Sequence, residues 1–441
     1  NVSARRQPRW TDLDEHRASV VSAIMIAIGP LSLSLYTPAL PTLVAAFGTT
    51  PAAVKFSLTV YFLGFCLAQL LCGPLSDAFG RRPVALAFFL IYFVGSIVDL
   101  FAPTIEILQL GRALQGIGAA AGVATSRALV RDLFVGQTSA RIMNRIGLFV
   151  GLVPALSPAI GGMLLTVTHW RSIFMLMFAY AVVVVGMVWI FLPETNNARD
   201  RAHAHPLRIA GNYLSLLRDR RFIAPAGLMA FVLGGVYTLP SLMPFVLIDK
   251  LGLTPLQYAL VVLAQTGALL TGNLVVGRLL RRISARKLVP VGIAIIVVAG
   301  AGFAAVRLFS SPGVAAFAIP NAIWVFGLPF VTPGTMTSAL SHFPRIAGAA
   351  SSLIGFMQMG GGFVGSAIGA AAFGDPMLAV GTLLPALSVL AGVTYFFLRD
   401  PAPCGRERSF SCILSQSARA SFSSYCSFSC SFSDSVTASA S

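Results

Sequence analysis

Charge is what this chain has least of. Only 10% of its 441 residues are Asp, Glu, Lys or Arg, against roughly 25% in a soluble domain. With 56% hydrophobic residues and a mean hydropathy of +0.82, there is more apolar surface than one soluble core can hold, and it must face lipid. Acid is scarcer still: 15 Asp and Glu stand against 31 Lys and Arg, and no acid falls near the middle of an expected span. The five histidines (His16, His169, His203, His205 and His342) lie at span ends or in loops on different sides. An enzyme needs nucleophile, acid–base or metal ligands clustered at one depth, so no enzyme, metal or cofactor is expected. Cys66 and Cys72 read as small buried apolar residues, and Cys404, Cys412, Cys426 and Cys430 sit in a serine-rich tail without histidine. The loops are too short for a receptor's soluble domain. Residues 1–17 are polar and the apolar run after them is too long for a signal peptide; the start at Asn1 reads as a processed or trimmed chain.

Apolar runs of about 20 residues, the length that crosses a bilayer, occur twelve times. They cover roughly 18–40, 52–73, 83–102, 105–128, 142–166, 171–192, 222–247, 256–279, 287–308, 313–336, 345–372 and 376–398. Arginine sets the orientation. With the N-terminus inside, nearly all basic residues fall on the cytoplasmic side, and Lys55, Arg171, Lys250 and Arg307 on the other. Both termini are therefore expected in the cytoplasm, and the basic balance needs no nucleic-acid partner. The longest internal break, 193–221, separates two six-span bundles, 18–192 and 222–400. Residues 1–17 read as a cytoplasmic arm, and 401–441 as a disordered cytoplasmic tail.

The stretch "GPLSDAFGRRPV" at 73–84 joins spans two and three. Gly73 permits close backbone approach and Gly80 a tight turn. Asp77 can accept hydrogen bonds or pair with arginine, while Arg81 and Arg82 are expected to anchor at anionic headgroups. Such a loop can latch one end of a moving bundle. It resembles the loop pattern of the major facilitator superfamily, with Ala78 where the family often has arginine. A degenerate copy, "GRLLRRISARK" at 277–287, suits two related halves. The resemblance implies an all-α membrane fold of twelve helices in two pseudo-symmetric bundles.

Two further motifs lie within spans. "LGRALQGIGAAAG" places Arg112, Gln115 and Gly116 inside span four, where a buried arginine is costly and faces a cavity or a partner. It resembles the superfamily's Arg-x-x-Gln-Gly motif, which implies a proton-coupling role for Arg112. In "VPALSPAIGG" of span five, Pro154 and Pro158 share a face and bend the helix, and Gly161 and Gly162 allow tight packing. This partly resembles the antiporter motif, with Val153 and Ser157 in place of two glycines. "YTPALP" in span one, "LPET" at 192–195 and the glycine-rich run at 343–366 together resemble the Bcr/CflA multidrug exporters, which include bicyclomycin, chloramphenicol and florfenicol exporters. That resemblance implies a bacterial inner-membrane drug:proton antiporter involved in antibiotic resistance.

Many members of that group carry an aspartate two residues before the tyrosine of span one; here the position is Ser34. Proton coupling then falls to Glu106 or Asp99 at the outer mouth, with Arg112 responding. The alternatives are an uncoupled facilitator or a nutrient or metabolite transporter of the same fold. A cavity without a central carboxylate suits neutral or weakly charged amphipathic compounds. Its expected lining is Ser34, Tyr36, Tyr61, Gln115, Tyr237, Gln265, Asn273 and Gln358. A monomer in the bilayer, with small molecules and protons as its partners, is the expectation.

Overall fold

A computed structural model describes residues 12–134, 136–196, 205–306, 313–343 and 346–398. The tail and its four cysteines lie outside them. The described chain is helical: α1 (Asp12–Ser34), α2 (Leu40–Ala46), α3 (Pro51–Phe79), α4 (Arg81–Leu100), α5 (Ile105–Leu133), α6 (Gly136–Val167) and α7 (Arg171–Phe191) come first. A second series follows: α8 (Pro206–Arg218), α9 (Arg220–Pro244), α10 (Pro255–Leu279), α11 (Ala285–Ala305), α12 (Val314–Ser341), α13 (Ala347–Ala371) and α14 (Pro376–Leu398). Helices are what a hydrocarbon solvent demands, because each backbone polar group must be satisfied within its own segment. Ten of the described helices are long and apolar enough to cross a membrane. The twelve expected spans fall on α1, α3–α7 and α9–α14.

Local chemistry sets the ends. Proline occupies the first turn of α3, α8 and α10, where its missing N–H costs nothing. Thr254 and Gln257 cap α10 reciprocally. Span one is not one helix. After Ser34 the chain makes a 3-10 turn at Thr37–Ala39 before α2, because Pro38 has no N–H to continue the hydrogen-bond ladder of α1, while Pro41 sits in the first turn of α2, where none is needed. The break at 193–221, expected as loop, contains α8. Its Leu216 is buried and the Tyr213 hydroxyl donates to the Leu70 carbonyl at 2.7 Å. Burial pushes the Tyr213 phenol up to about 12. Helix α1 starts within the stretch read as an N-terminal arm.

In the first bundle α5 is the central strut, packed on α1, α3 and α4. Its glycines permit this: a side chain at Gly118 would stand 2.5 Å from the Phe88 carbonyl oxygen and from Tyr92. In the second bundle α9 packs on α12 and α13, and α12 on α10 and α11. Between the bundles the main contacts are α3 with α13 and α6 with α10. Matching α1–α7, without the short α2, to α9–α14 in order interchanges these two pairs. That is the mark of a pseudo-twofold axis. Large apolar side chains such as Leu110, Met163, Ile190, Leu260, Val298 and Val389 are exposed on the periphery, as a lipid-facing surface requires.

Candidate functional site

A cavity of about 720 Å³ lies between the bundles. Its walls come from α1, α3, α5, α6, α9, α10, α12 and α13, and they are mostly Leu, Val, Phe, Met and Pro. One end is closed by contacts across the bundles. The Lys55 ammonium, buried, sits 5.0 Å from the Phe245 ring centroid, and Thr59 Oγ1 lies 2.9 Å from Ser366 Oγ. Gly162 approaches the Pro255 carbonyl so closely that a Cβ there would lie 2.9 Å from its oxygen. Towards the end that carries the α3–α4 loop, Arg127 and Asn273 line the cavity and are exposed, so water reaches them.

Of the residues expected to line the cavity, Ser34, Tyr61, Tyr237, Gln265, Asn273 and Gln358 do so. Gln265 accepts from Asn321 Nδ2 at 2.8 Å, and Tyr237 packs on Phe62 with ring centroids 5.8 Å apart. Tyr36 and Gln115 do not line it. The turn after Ser34 rotates Tyr36 inward, where it is fully buried and its hydroxyl meets Ser57 Oγ at 2.6 Å. Gln115 is held inside the first bundle. Pro154 and Pro158 of α6 border the cavity, and Gly161 lies against the Leu35 carbonyl.

Arg112 is fully buried behind the cavity wall. Its Nη1 donates to Gln115 Oε1 at 2.6 Å and its Nη2 to the Ser32 carbonyl at 3.1 Å. The guanidinium stacks against Tyr36 and Tyr61, with centroids 4.7 and 4.5 Å away. Gln115 Nε2 donates onward to Ser96 Oγ at 3.0 Å, and the Ser32 hydroxyl bonds Tyr92. Arg112 thus ties α1, α3 and α4 to α5 through aromatic faces and neutral acceptors, without a carboxylate in contact. The two acids differ. Glu106 is exposed in the first turn of α5. Asp99 is fully buried in the last turn of α4, with neither carboxylate oxygen hydrogen-bonded, against the backbone of Gly111. Asp99 is therefore sealed inside the bundle at the far end of α4, against the residue that precedes Arg112.

The α3–α4 loop is a charged knot. Gly80 bridges the helices at φ 110°, a conformation open to glycine. Arg81 does not reach for headgroups. It is buried, pairs with Asp77 at 2.5 Å and Asp132 at 3.1 Å, and donates to Ser76 Oγ at 2.6 Å. Arg82 donates to the Trp189 carbonyl at 2.6 Å and lies over that indole ring. Gly73 faces Ser352 of α13. The sequence reading missed what completes the knot. Glu194 accepts from the Arg81 and Arg82 backbone amides at 3.0 and 3.4 Å, capping α4, and Asn196 donates to the Asp77 carbonyl at 2.7 Å. The "LPET" run was the available signal. Arg127 and Asn321 were also missed. Among the described residues no three His, Cys, Asp or Glu side chains group as metal ligands.

Two helical bundles of like packing around a central cavity, open at one end and pinned at the other, define a multi-pass membrane transporter of small molecules. The chain belongs to the Major Facilitator Superfamily, whose family model matches residues 22–366. It is 29% identical over 338 residues to an uncharacterized MFS-type transporter, YdgK, of Bacillus subtilis (76% of this chain, 84% of that one). It is 27% identical over 389 residues to a bicyclomycin resistance protein homolog of Haemophilus influenzae (85% and 94%). In fold it resembles the crystal structure of a bacterial homolog to the human lysosomal transporter Spinster, with a TM-score of 0.65 and 14% identity over 88% of this chain and 97% of that one.

Proposed function

We propose that this protein is a secondary active multidrug efflux transporter of a bacterial inner membrane, with both termini cytoplasmic. It exports amphipathic compounds by alternating access in exchange for protons. The observation that carries the reading is the cavity: largely apolar, built by both bundles, pinned at the end of Lys55 and Phe245 and wet at the end of Arg127 and Asn273. Tyr61, Tyr237, Gln265 and Gln358 give such a pocket a few polar handles on an adaptable wall, which suits varied substrates. A relative's drug-resistance name supports the same class.

Asp99 is the proton site in this proposal. A group that takes and releases a proton as access alternates needs no fixed partner and a change in solvent contact; Asp99 has the first, and opening of the closed end supplies the second. Buried ionisable groups in spans commonly mark proton paths. Arg112 senses the change through Gln115 and Ser96, and the Arg81 knot makes α3, α4 and α5 move as one body at the wet end. The monomer is the working unit.

The test is uptake of a neutral phenicol drug into inverted proteoliposomes, with and without an imposed pH gradient. Gradient-driven accumulation that survives Glu106→Gln and collapses to equilibration in Asp99→Asn is the expected result. Equilibration by the unmodified protein regardless of gradient would make it a facilitator and remove Asp99 from the mechanism.

A further inference from the structure

Within that export reading, one cavity residue carries a chemistry the neutral lining does not. Arg127, on α5, lines both the central cavity and a small vestibule beside the α3–α4 loop. Among the described lining residues of the central cavity it is the one charged side chain. It is exposed, and it makes no hydrogen bond or ion pair with any described residue. The acid bordering the vestibule, Asp77, is already engaged by Arg81 at 2.5 Å.

Direction matters as much as position. Gln109 of α5 donates to the Ala53 carbonyl at 2.9 Å, two residues from Lys55, so α5 begins at the closed end. Helical side chains lean towards their own N-terminus, which aims the Arg127 guanidinium up into the cavity. There Tyr61, Tyr237 and Phe62 supply aromatic faces. An arginine fork fits carboxylate, sulfonate or phosphate oxygens two at a time, and among the described lining residues of the cavity no acid neutralises its charge.

We infer that the preferred substrates are amphipathic organic anions, small molecules with one acidic group that pairs with Arg127 while an apolar body fills the cavity above it. This narrows the expectation of neutral or weakly charged substrates to its anionic side. It also gives the acid-poor lining a purpose, since a carboxylate in the wall would occupy Arg127.

The experiment compares 1-pyrenebutyrate with its uncharged amide, binding by fluorescence to the full-length protein in phosphatidylcholine nanodiscs. Unmodified protein, Arg127→Gln and Arg127→Lys are measured. The acid is expected to bind about tenfold tighter than the amide to the unmodified protein, since a charge-assisted pair contributes on that scale. Arg127→Gln removes the preference for acid over amide, Arg127→Lys restores part of it, and high salt weakens the acid alone. Equal affinities for acid and amide in the unmodified protein, or a loss of both ligands alike in Arg127→Gln, would overturn the inference. If added phosphatidylglycerol displaces the acid from the unmodified protein only, the anion held is a lipid phosphate and the small-molecule assignment fails. The export reading stands or falls separately, on gradient-driven uptake of the uncharged phenicol by the unmodified protein.

Discussion

Gln115→Leu tests whether Arg112 is held by a hydrogen-bond chain or only by burial. Leucine nearly preserves the volume of the side chain, so packing changes little. What is lost is the acceptor 2.6 Å from Arg112 Nη1 and the donor 3.0 Å from Ser96 Oγ. A hydrogen bond to a charged group contributes about 1.5–3 kcal/mol and a neutral one about 0.5–1.5 kcal/mol. Gln115→Leu should therefore cost about 3 kcal/mol, the larger share from the guanidinium left a donor short in a fully buried site. Ser96→Ala should cost about 1 kcal/mol. Arg112 would not be released, because the Ser32 carbonyl at 3.1 Å and the rings of Tyr36 and Tyr61 remain. The discriminating variant is the double one. With Arg112→Met and Gln115→Leu together the two side chains no longer need each other, and only the Ser32 carbonyl and the Ser96 hydroxyl each lose a donor, so the second replacement is cheap once the first is made. The double variant should fall short of the sum of the singles by about 2 kcal/mol. Reversible unfolding in mixed detergent–SDS micelles, followed by tryptophan fluorescence, measures the unmodified protein, the singles Arg112→Met, Gln115→Leu and Ser96→Ala, and the double variant. Singles that add to within about 0.5 kcal/mol, the behaviour of uncoupled sites, would refute the chain from Arg112 to Ser96.

Other consequences of the geometry are as direct. Glu194→Ala removes the acceptor for two α4 amides and should destabilise the protein by about 1–2 kcal/mol, the scale of a lost cap, with Glu194→Gln losing less; thermal melting in detergent reads both. Cysteines at Thr59 and Ser366, whose hydroxyl oxygens are 2.9 Å apart, should form a disulfide under mild oxidant, abolish uptake into proteoliposomes and restore it on reduction. Uptake that continues with the bridge formed would mean that this end need not open. Gly118→Leu puts a branched side chain where even a Cβ meets the Phe88 carbonyl and Tyr92, so α4 and α5 must part; loss of monodisperse protein on size exclusion is expected, while Gly211→Ala on α8, with open space around it, should behave as unmodified.

How much of this was legible in the sequence follows from the range of each interaction. Spans announce themselves because a bilayer makes a local demand, about 20 apolar residues at a time. Arg112 stood out for the same reason, as a charge where the solvent forbids one. The cavity lining was partly readable, since polar or aromatic residues in spans have few places to go, and six of the eight expected residues reach it. Tyr36 failed because its face depends on a helix continuing, and with Pro38 unable to extend the ladder α1 ends just short of it. Gln115 failed because its partner, Ser96, is on another helix.

Asp99 shows the deeper limit. From sequence it is an acid at the end of a span, and such acids normally reach water. Its burial is made by α5, whose Gly111 lets the backbone close over the carboxylate. A side chain at 111 would collide with it, so a glycine some twelve positions away decides whether the residue is a surface charge or an internal one. Glu194 is the reverse case: an acid in a loop that reads as solvated, drawn to the α4 amides more than a hundred residues earlier in the chain. Both acids take their chemistry from a backbone contact on a distant helix. In a chain with so little charge, position in three dimensions, and not residue type, separates an acid that caps a helix from one buried without a hydrogen-bond partner.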